Sequence, residues 1–346
     1  LQQSAESCNL KIEAFQHLSN GAEMFLLKNN VQKIFRYNIL FLIGFIVTIY
    51  YLSSEAGTPP GLSFLRLPLD ARSGAMGGTG ISLQIFPWSS KELLKTTSSV
   101  ATFTHIRGIT DTDTEFLGII INRGKSNAVG LSILSNNIGN IEFRTRPTAA
   151  PEGIISAHDI FAGISYFRTP QEGIQFCITA RYLYQKIFFN TASGYSTDIG
   201  VRYIPKNSKL SFGAGVYNLG SMEAFISEKP VMPTMARIGA QYALLSRSDV
   251  SHRLVCSTEY ERLFSVRDIS ASGGIGKNSG HFGIEYQYRS ILCFQCGYVT
   301  GYEEQGFSVG AGIAADRIKF DYAYLPDRSS IGNQHIVTIH CGLTTK

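Results

Sequence analysis

The chain has 346 residues, 44% hydrophobic and 16% charged, with 22 Phe, 17 Tyr, 34 Gly, one Trp and a formal charge of +5. Soluble domains average about 25% charged residues, so this chain is poor in charge, yet it is too rich in aromatics to be disordered or collagen-like. The positive excess is spread along the sequence, without the Lys/Arg clusters of a nucleic-acid footprint.

In chain order, the first signal is the apolar run Ile39 to Leu52. Lys28, Lys33 and Arg36 precede it, and Ser53, Ser54, Glu55, Ala56 and Gly57 follow it. A basic stretch, a short apolar core and small residues make a secretory signal peptide, with cleavage expected after Ala56. The run has fourteen residues, fewer than the roughly 20 of a spanning helix, and a membrane anchor is the alternative reading. Residues before Met24 fit no such peptide and read as an over-extended start. Residues 1–56 are therefore expected to lie outside the mature fold. They hold four basic and four acidic side chains, so the remainder keeps the charge of +5. Residues 57–95, rich in Gly and Pro, read as a plug or a lead-in segment, and 96–346 as the folded body.

From there the chain alternates with a period of two. In 195–203, Tyr195, Ile199, Val201 and Tyr203 oppose Ser196, Asp198, Gly200 and Arg202. In 235–243, Ile238, Ala240 and Tyr242 oppose Arg237, Gly239 and Gln241. In 280–289, Phe282, Ile284, Tyr286 and Tyr288 oppose His281, Gly283, Glu285 and Gln287. In 317–324, Ile318, Phe320, Tyr322 and Tyr324 oppose Arg317, Lys319, Asp321 and Ala323. This is the strand signal. Fifteen runs can be drawn, 265–275 and 280–289 among them, with tight turns at Pro205–Ser208 and Lys277–Gly280. Longer external loops are expected at 145–153 and 220–233.

A soluble sandwich also alternates. Here, however, the polar faces carry Asp198, Arg202, Arg237, Gln241, Glu285 and Asp321, and burying unpaired charges in a dry core costs several kcal/mol each. Runs of about ten residues ending in Tyr203, Tyr242, Tyr288 and Tyr324 suit tilted spanning strands with an aromatic girdle. The reading is all-β: an antiparallel transmembrane barrel of about 14 strands, exported to the bacterial outer membrane, with those six polar residues facing the lumen.

The cysteines add little chemistry. Cys293 and Cys296 have metal-pair spacing, but positions i and i+3 of a strand face opposite ways. No nucleophile motif, His-Glu-x-x-His or phosphate loop occurs, and His281, His335 and His340 read as wall residues. Neither catalytic residues nor a metal or cofactor site are expected. Gly213, Gly215, Gly310 and Gly312 lie in strand patterns and are expected to relieve crowding inside the barrel.

Residues Phe64, Leu65, Ala71, Arg72, Ala75, Met76, Gly77 and Gly78 form a spaced pattern. It resembles the opening of the PorV/PorQ family of outer-membrane barrels, related in fold to the FadL fatty-acid transporters. Four later stretches are similar in order: Arg181–Ile187, Thr197–Tyr203, Tyr217–Gly220 with Met232–Tyr242, and Asp321–Tyr324. The family's Asn-Pro-Ala-Gly does not follow the Met-Gly-Gly segment here. The resemblance implies a plug packed in the lumen, with Arg72 pairing an inward carboxylate such as Asp198 or Glu285. It also implies a non-enzymatic adaptor of type IX secretion that meets secreted cargo or other secretion proteins through 136–157 and 220–233. The alternative is a FadL-like transporter of hydrophobic molecules, disfavoured at this level by inward faces of Gly, charged and amide residues. Outer-membrane lipid is the expected surround in either case.

Overall fold

The computed structural model describes residues 61–80, 99–109, 111–124, 126–147, 149–206, 208–225, 228–245, 252–267, 275–301, 306–326 and 332–343. The expected signal peptide and start lie outside them. A short lead segment comes first, with a 3-10 turn over Ser63–Arg66 and one helix, α1 (Ala71–Ala75). The strands are β1 (Ser99–Arg107), β2 (Thr112–Asn122), β3 (Asn127–Phe143), β4 (Gly153–Gln171), β5 (Ile174–Ile187), β6 (Asn190–Tyr203) and β7 (Leu210–Met222). They continue as β8 (Met235–Leu245), β9 (His252–Arg267), β10 (Ile275–Tyr288), β11 (Leu292–Thr300), β12 (Phe307–Ala315), β13 (Ile318–Pro326) and β14 (Asn333–Leu343).

Each strand pairs antiparallel with the next, and β1 closes on β14 from Ser99↔Leu343 to Arg107↔His335. A closed sheet leaves no strand edge to satisfy, which is what lets it cross hydrocarbon. Alternation then sorts the side chains. On β1, Val100, Thr102, Thr104 and Ile106 are buried, while Phe103 between them is exposed. Leu131, Ile164, Ile178, Ile238 and Phe294 are exposed in the same way on five other strands. Such a band has no place in water and matches the lipid-facing surface of a barrel.

At the end holding the start of β1 and the finish of β14, four of the connections are as short as two to four residues: 123–126, 172–173, 289–291 and 316–317. The other end carries 144–152 and 223–234. Short turns face the periplasm and long loops the exterior. The hairpin β3–β4 is tall, with strands of 17 and 19 residues. Ile138 pairs with Thr112 at the start of β2, so the rest of β3 rises beyond its neighbour on the outer side.

Fourteen strands replace the fifteen runs. The surplus run, 265–275, covers the end of β9, the start of β10 and residues outside the described set. β9 and β10 have 16 and 14 residues, longer than the ten-residue unit that spacing implies. Lys277–Gly280 lies inside β10 and is not a turn. The ladder to β9 runs on through Lys277↔Leu263 and Gly280↔Tyr260, so cross-strand pairing overrides local turn chemistry. Of the expected contact regions 136–157 and 220–233, residues 136–143 and 153–157 belong to β3 and β4, and 220–222 to β7.

Candidate functional site

The lead segment is the only described chain inside the barrel, and its shape is written locally. Pro68 halts the 3-10 turn, and Asp70 caps α1 by accepting from Ser73 N at 2.7 Å. Ser73 Oγ donates back to Asp70 O at 3.0 Å. Asp70 is buried, and that burial pushes its carboxyl above the ordinary range against the opposing Ser73 bond. Replacing Asp70 by Ala removes a cap worth about 1 kcal/mol. Trypsin cleavage after Arg72 in the folded protein is then expected to speed up about fivefold.

The barrel wall holds the segment by main-chain contacts. Thr104 Oγ1 donates to Leu69 O at 2.9 Å, and Ala71 N donates to Thr338 Oγ1 at 2.8 Å. Ser308 Oγ donates to Ala75 O at 2.9 Å and accepts from Gly77 N at 3.1 Å. His281 Nδ1 sits 2.7 Å from Gly77 O, and Arg237 Nη1 donates to Gly78 O at 2.9 Å. The segment approaches this closely because the wall is glycine. A Cβ on Gly297 would fall 2.0 Å from Gly77 N. Gly77 itself has φ +67°, and a Cβ there would stand 2.8 Å from Phe282 O. Gly310 takes Ala75 in the same trough.

Buried ion pairs surround this contact. Arg72 donates to both carboxylate oxygens of Glu285, at 2.5 Å from Nε and 2.9 Å from Nη2. Arg237 pairs with Glu261 and stands 3.5 Å from Glu259. Arg66 also reaches Glu261, at 3.5 Å. Asp198 is held instead by Arg181, with one contact at 3.0 Å, and accepts from Asn218 N at 2.8 Å. Lys319 lies 3.0 Å from Asp321. Asp198, Arg202, Arg237, Glu285 and Asp321 are all buried on the lumenal side, while Gln241 is half-buried and donates to Ser257 Oγ at 3.2 Å. Phe64, Ala71, Met76 and Gly77 are buried, and Leu65 and Gly78 half-buried. Sequence reading missed Arg181, Glu259, Glu261 and Ser308. Strand parity places Glu259 and Glu261 on one face of β9.

A hydroxyl, an imidazole and a carboxylate do line up. Thr102 Oγ1 is 2.9 Å from His340 Nδ1, and His340 Nε2 is 3.6 Å from Asp321. All three are at most 2% exposed, and Lys319 occupies the same carboxylate. The group has no room for a substrate and instead braces β1, β13 and β14.

The opposite wall is apolar. Phe116, Ile120, Leu134, Phe161, Phe167 and Leu183 point inward and pack against Leu62 and Phe64, with Leu65, Leu67 and Leu69 alongside. This corrects the expectation that the inward faces are mostly Gly, charged and amide residues. The clear alternation on β6, β8, β10 and β13 does show polar inward faces. On β2, apolar residues such as Phe116 and Leu117 fall on both faces, so periodicity conceals the inner one. Between this wall and the segment lies a cavity of about 90 Å³, bounded by Leu65, Leu67, Phe161, Phe167, Arg181, Arg202 and Tyr217.

No family model and no curated protein sequence matches the chain. Among solved structures, the toluene transporter TodX of Pseudomonas putida aligns with a TM-score of 0.53 at 11% identity, over 80% of this chain and 99% of that one. The CymD monoaromatic hydrocarbon channel aligns with a TM-score of 0.50 at 10% identity, over 80% and 98%. The chain is an outer-membrane β-barrel of this fold. At such identities the likeness is one of architecture, and the lumenal chemistry has to be argued from this chain's own residues.

Proposed function

We propose that the barrel is a non-enzymatic conduit for small hydrophobic molecules, with residues 61–80 acting as a plug that the solute must pass. The observation that carries this is the apolar wall of β2–β5 inside the lumen, continuous with the cavity beside Leu65 and Leu67. A water-filled pore has no use for such a surface, whereas an oily solute leaves water by binding to it. That the fold neighbours are a toluene transporter and a monoaromatic hydrocarbon channel supports the same reading.

The test is uptake of a labelled monoaromatic hydrocarbon by cells whose outer membrane carries the barrel. Expression is expected to raise uptake. Phe167→Asn, which makes the wall polar beside the cavity, is expected to lower it several-fold while the barrel still assembles. Uptake equal with and without the barrel would remove the proposal.

A second reading, the type IX adaptor, draws on the PorV/PorQ-like residues Phe64, Leu65, Ala71, Arg72, Met76, Gly77 and Gly78. In it the outer connections 144–152 and 223–234 meet secreted cargo or other secretion proteins. Crosslinking from these two loops in intact cells separates the readings: a conduit gives no specific protein adduct, and an adaptor gives one.

A further inference from the structure

We infer that the lumenal cavity contains an anion subsite built on Arg202 and Gln175, and that it takes a small apolar monocarboxylate, an arene carboxylate being the best fit. Arg202 stands on β6 near the periplasmic end, 8% exposed, across from Gln175 on β5 and Gly213 on β7. Among the described residues its guanidinium reaches one polar atom, Ser211 Oγ at 3.4 Å, and its Nε reaches none. Arg72, Arg181 and Arg237 each hold a carboxylate, and Arg202 does not. The charged side chains that share the cavity with it are Arg66, Arg181 and Asp198, and Asp198 is already closed off by Arg181, as Glu285 is by Arg72. A buried cation among cations is destabilising until an anion joins it, so an arriving anion recovers a cost the fold already bears.

Two further features select the anion. Gln175 Oε1 is also without a partner, and a turn of its amide presents N–H donors to the same space. A planar carboxylate matches a planar guanidinium fork beside an amide better than a spherical ion does. Leu65, Leu67, Phe161, Phe167 and Cys177 supply the apolar part of the same cavity wall, and its one carboxylate, Asp198, is already held by Arg181, so the body of the ligand is apolar and its charge is left to Arg202. At about 90 Å³ the space is smaller than the dry cavity of about 150 Å³ known to take benzene, so a single ring is the upper limit and part of it lies outside the enclosed space, toward the open side of the cavity.

This inference rests on the conduit reading, because the ligand reaches Arg202 through the same cavity. The experiment is calorimetric titration of the purified full chain in detergent with benzoate and, separately, with toluene, its neutral counterpart. Benzoate is expected to bind at least about tenfold tighter than toluene. Arg202→Gln is expected to lose that margin, so that benzoate and toluene bind about equally, and to raise the melting temperature, because a buried unpaired cation has gone. Benzoate is expected to raise the melting temperature of the parent and not of the variant. Benzoate binding no tighter than toluene, or equally tight in the variant, overturns the subsite. Toluene binding without benzoate binding removes the subsite and leaves the conduit standing; binding of neither removes both. If Arg202→Gln does not assemble, Gln175→Leu and the parent's benzoate-to-toluene ratio decide the matter.

Discussion

Gly297→Val is expected to drive the lumenal segment off the barrel wall while leaving the barrel intact. The Cβ of any residue here would stand 2.0 Å from Gly77 N and 2.2 Å from Met76 C. Both are backbone atoms of a chain already bonded on either side, through Ser308 and Arg237. No rotamer change relieves such a clash, so the segment has to move. Overpacking of this kind costs about 1–3 kcal/mol and sometimes more, and backbone against backbone belongs at the upper end. At about 3 kcal/mol the detached fraction rises more than a hundredfold. Trypsin cleavage after Arg72 and single-channel conductance should both report it. Heat-modifiable gel mobility should be unchanged, because strand pairing does not involve the new side chain. Gly153→Val, where an added Cβ meets nothing within 4 Å, is the matched control and should change neither readout.

Arg237→Ala is expected to be the most costly single change to the wall itself. Its guanidinium serves Glu261, Glu259 and the carbonyl of Gly78 at once. Removing it leaves two buried carboxylates deprived of the cation they share, and breaking a buried pair costs about 3–5 kcal/mol. Denaturant unfolding in lipid should show the loss. The double variant Arg237→Ala with Glu261→Gln should recover part of it, because the second change removes one of the two carboxylate charges that Arg237 had neutralised. A double variant no more stable than Arg237→Ala alone would mean that the pair is not coupled in the way the geometry implies.

Much of the fold was legible in the residues. Tyr195–Tyr203 and His281–Tyr288 carry their facing in the sequence, because one face is lipid-soluble and the other is not. Arg72 with Glu285 was within reach of parity and charge alone, though Asp198 was an equal candidate until the registers were known. Asp198 belongs to Arg181 because those residues sit on adjacent strands, in positions that pairing alone sets. The strand boundaries were harder. Lys277–Gly280 has turn composition and yet sits in a ladder, since β9 supplies a partner for every residue there. The apolar inner wall was hidden for a different reason. Where Ile119, Ile120 and Ile121 stand in a row, alternation carries no information, and only closure of the sheet decides which of them sees lipid and which the interior. The hydroxyl bracket of Ser308 around Ala75 and Gly77 had no sequence signal, because it joins residues more than 230 positions apart.

The lumen's division into a charged half and an oily half has a consequence for traffic. In the conduit proposed above, solutes would follow Phe116, Phe161 and Phe167, away from the side where guanidinium and carboxylate groups pair with one another and with residues 61–80. The two sides would then do separate work, and opening one need not open the other. Damage to the oily lane should therefore leave electrical current untouched, and damage to the charged lane should let current through before it changes what greasy cargo is admitted.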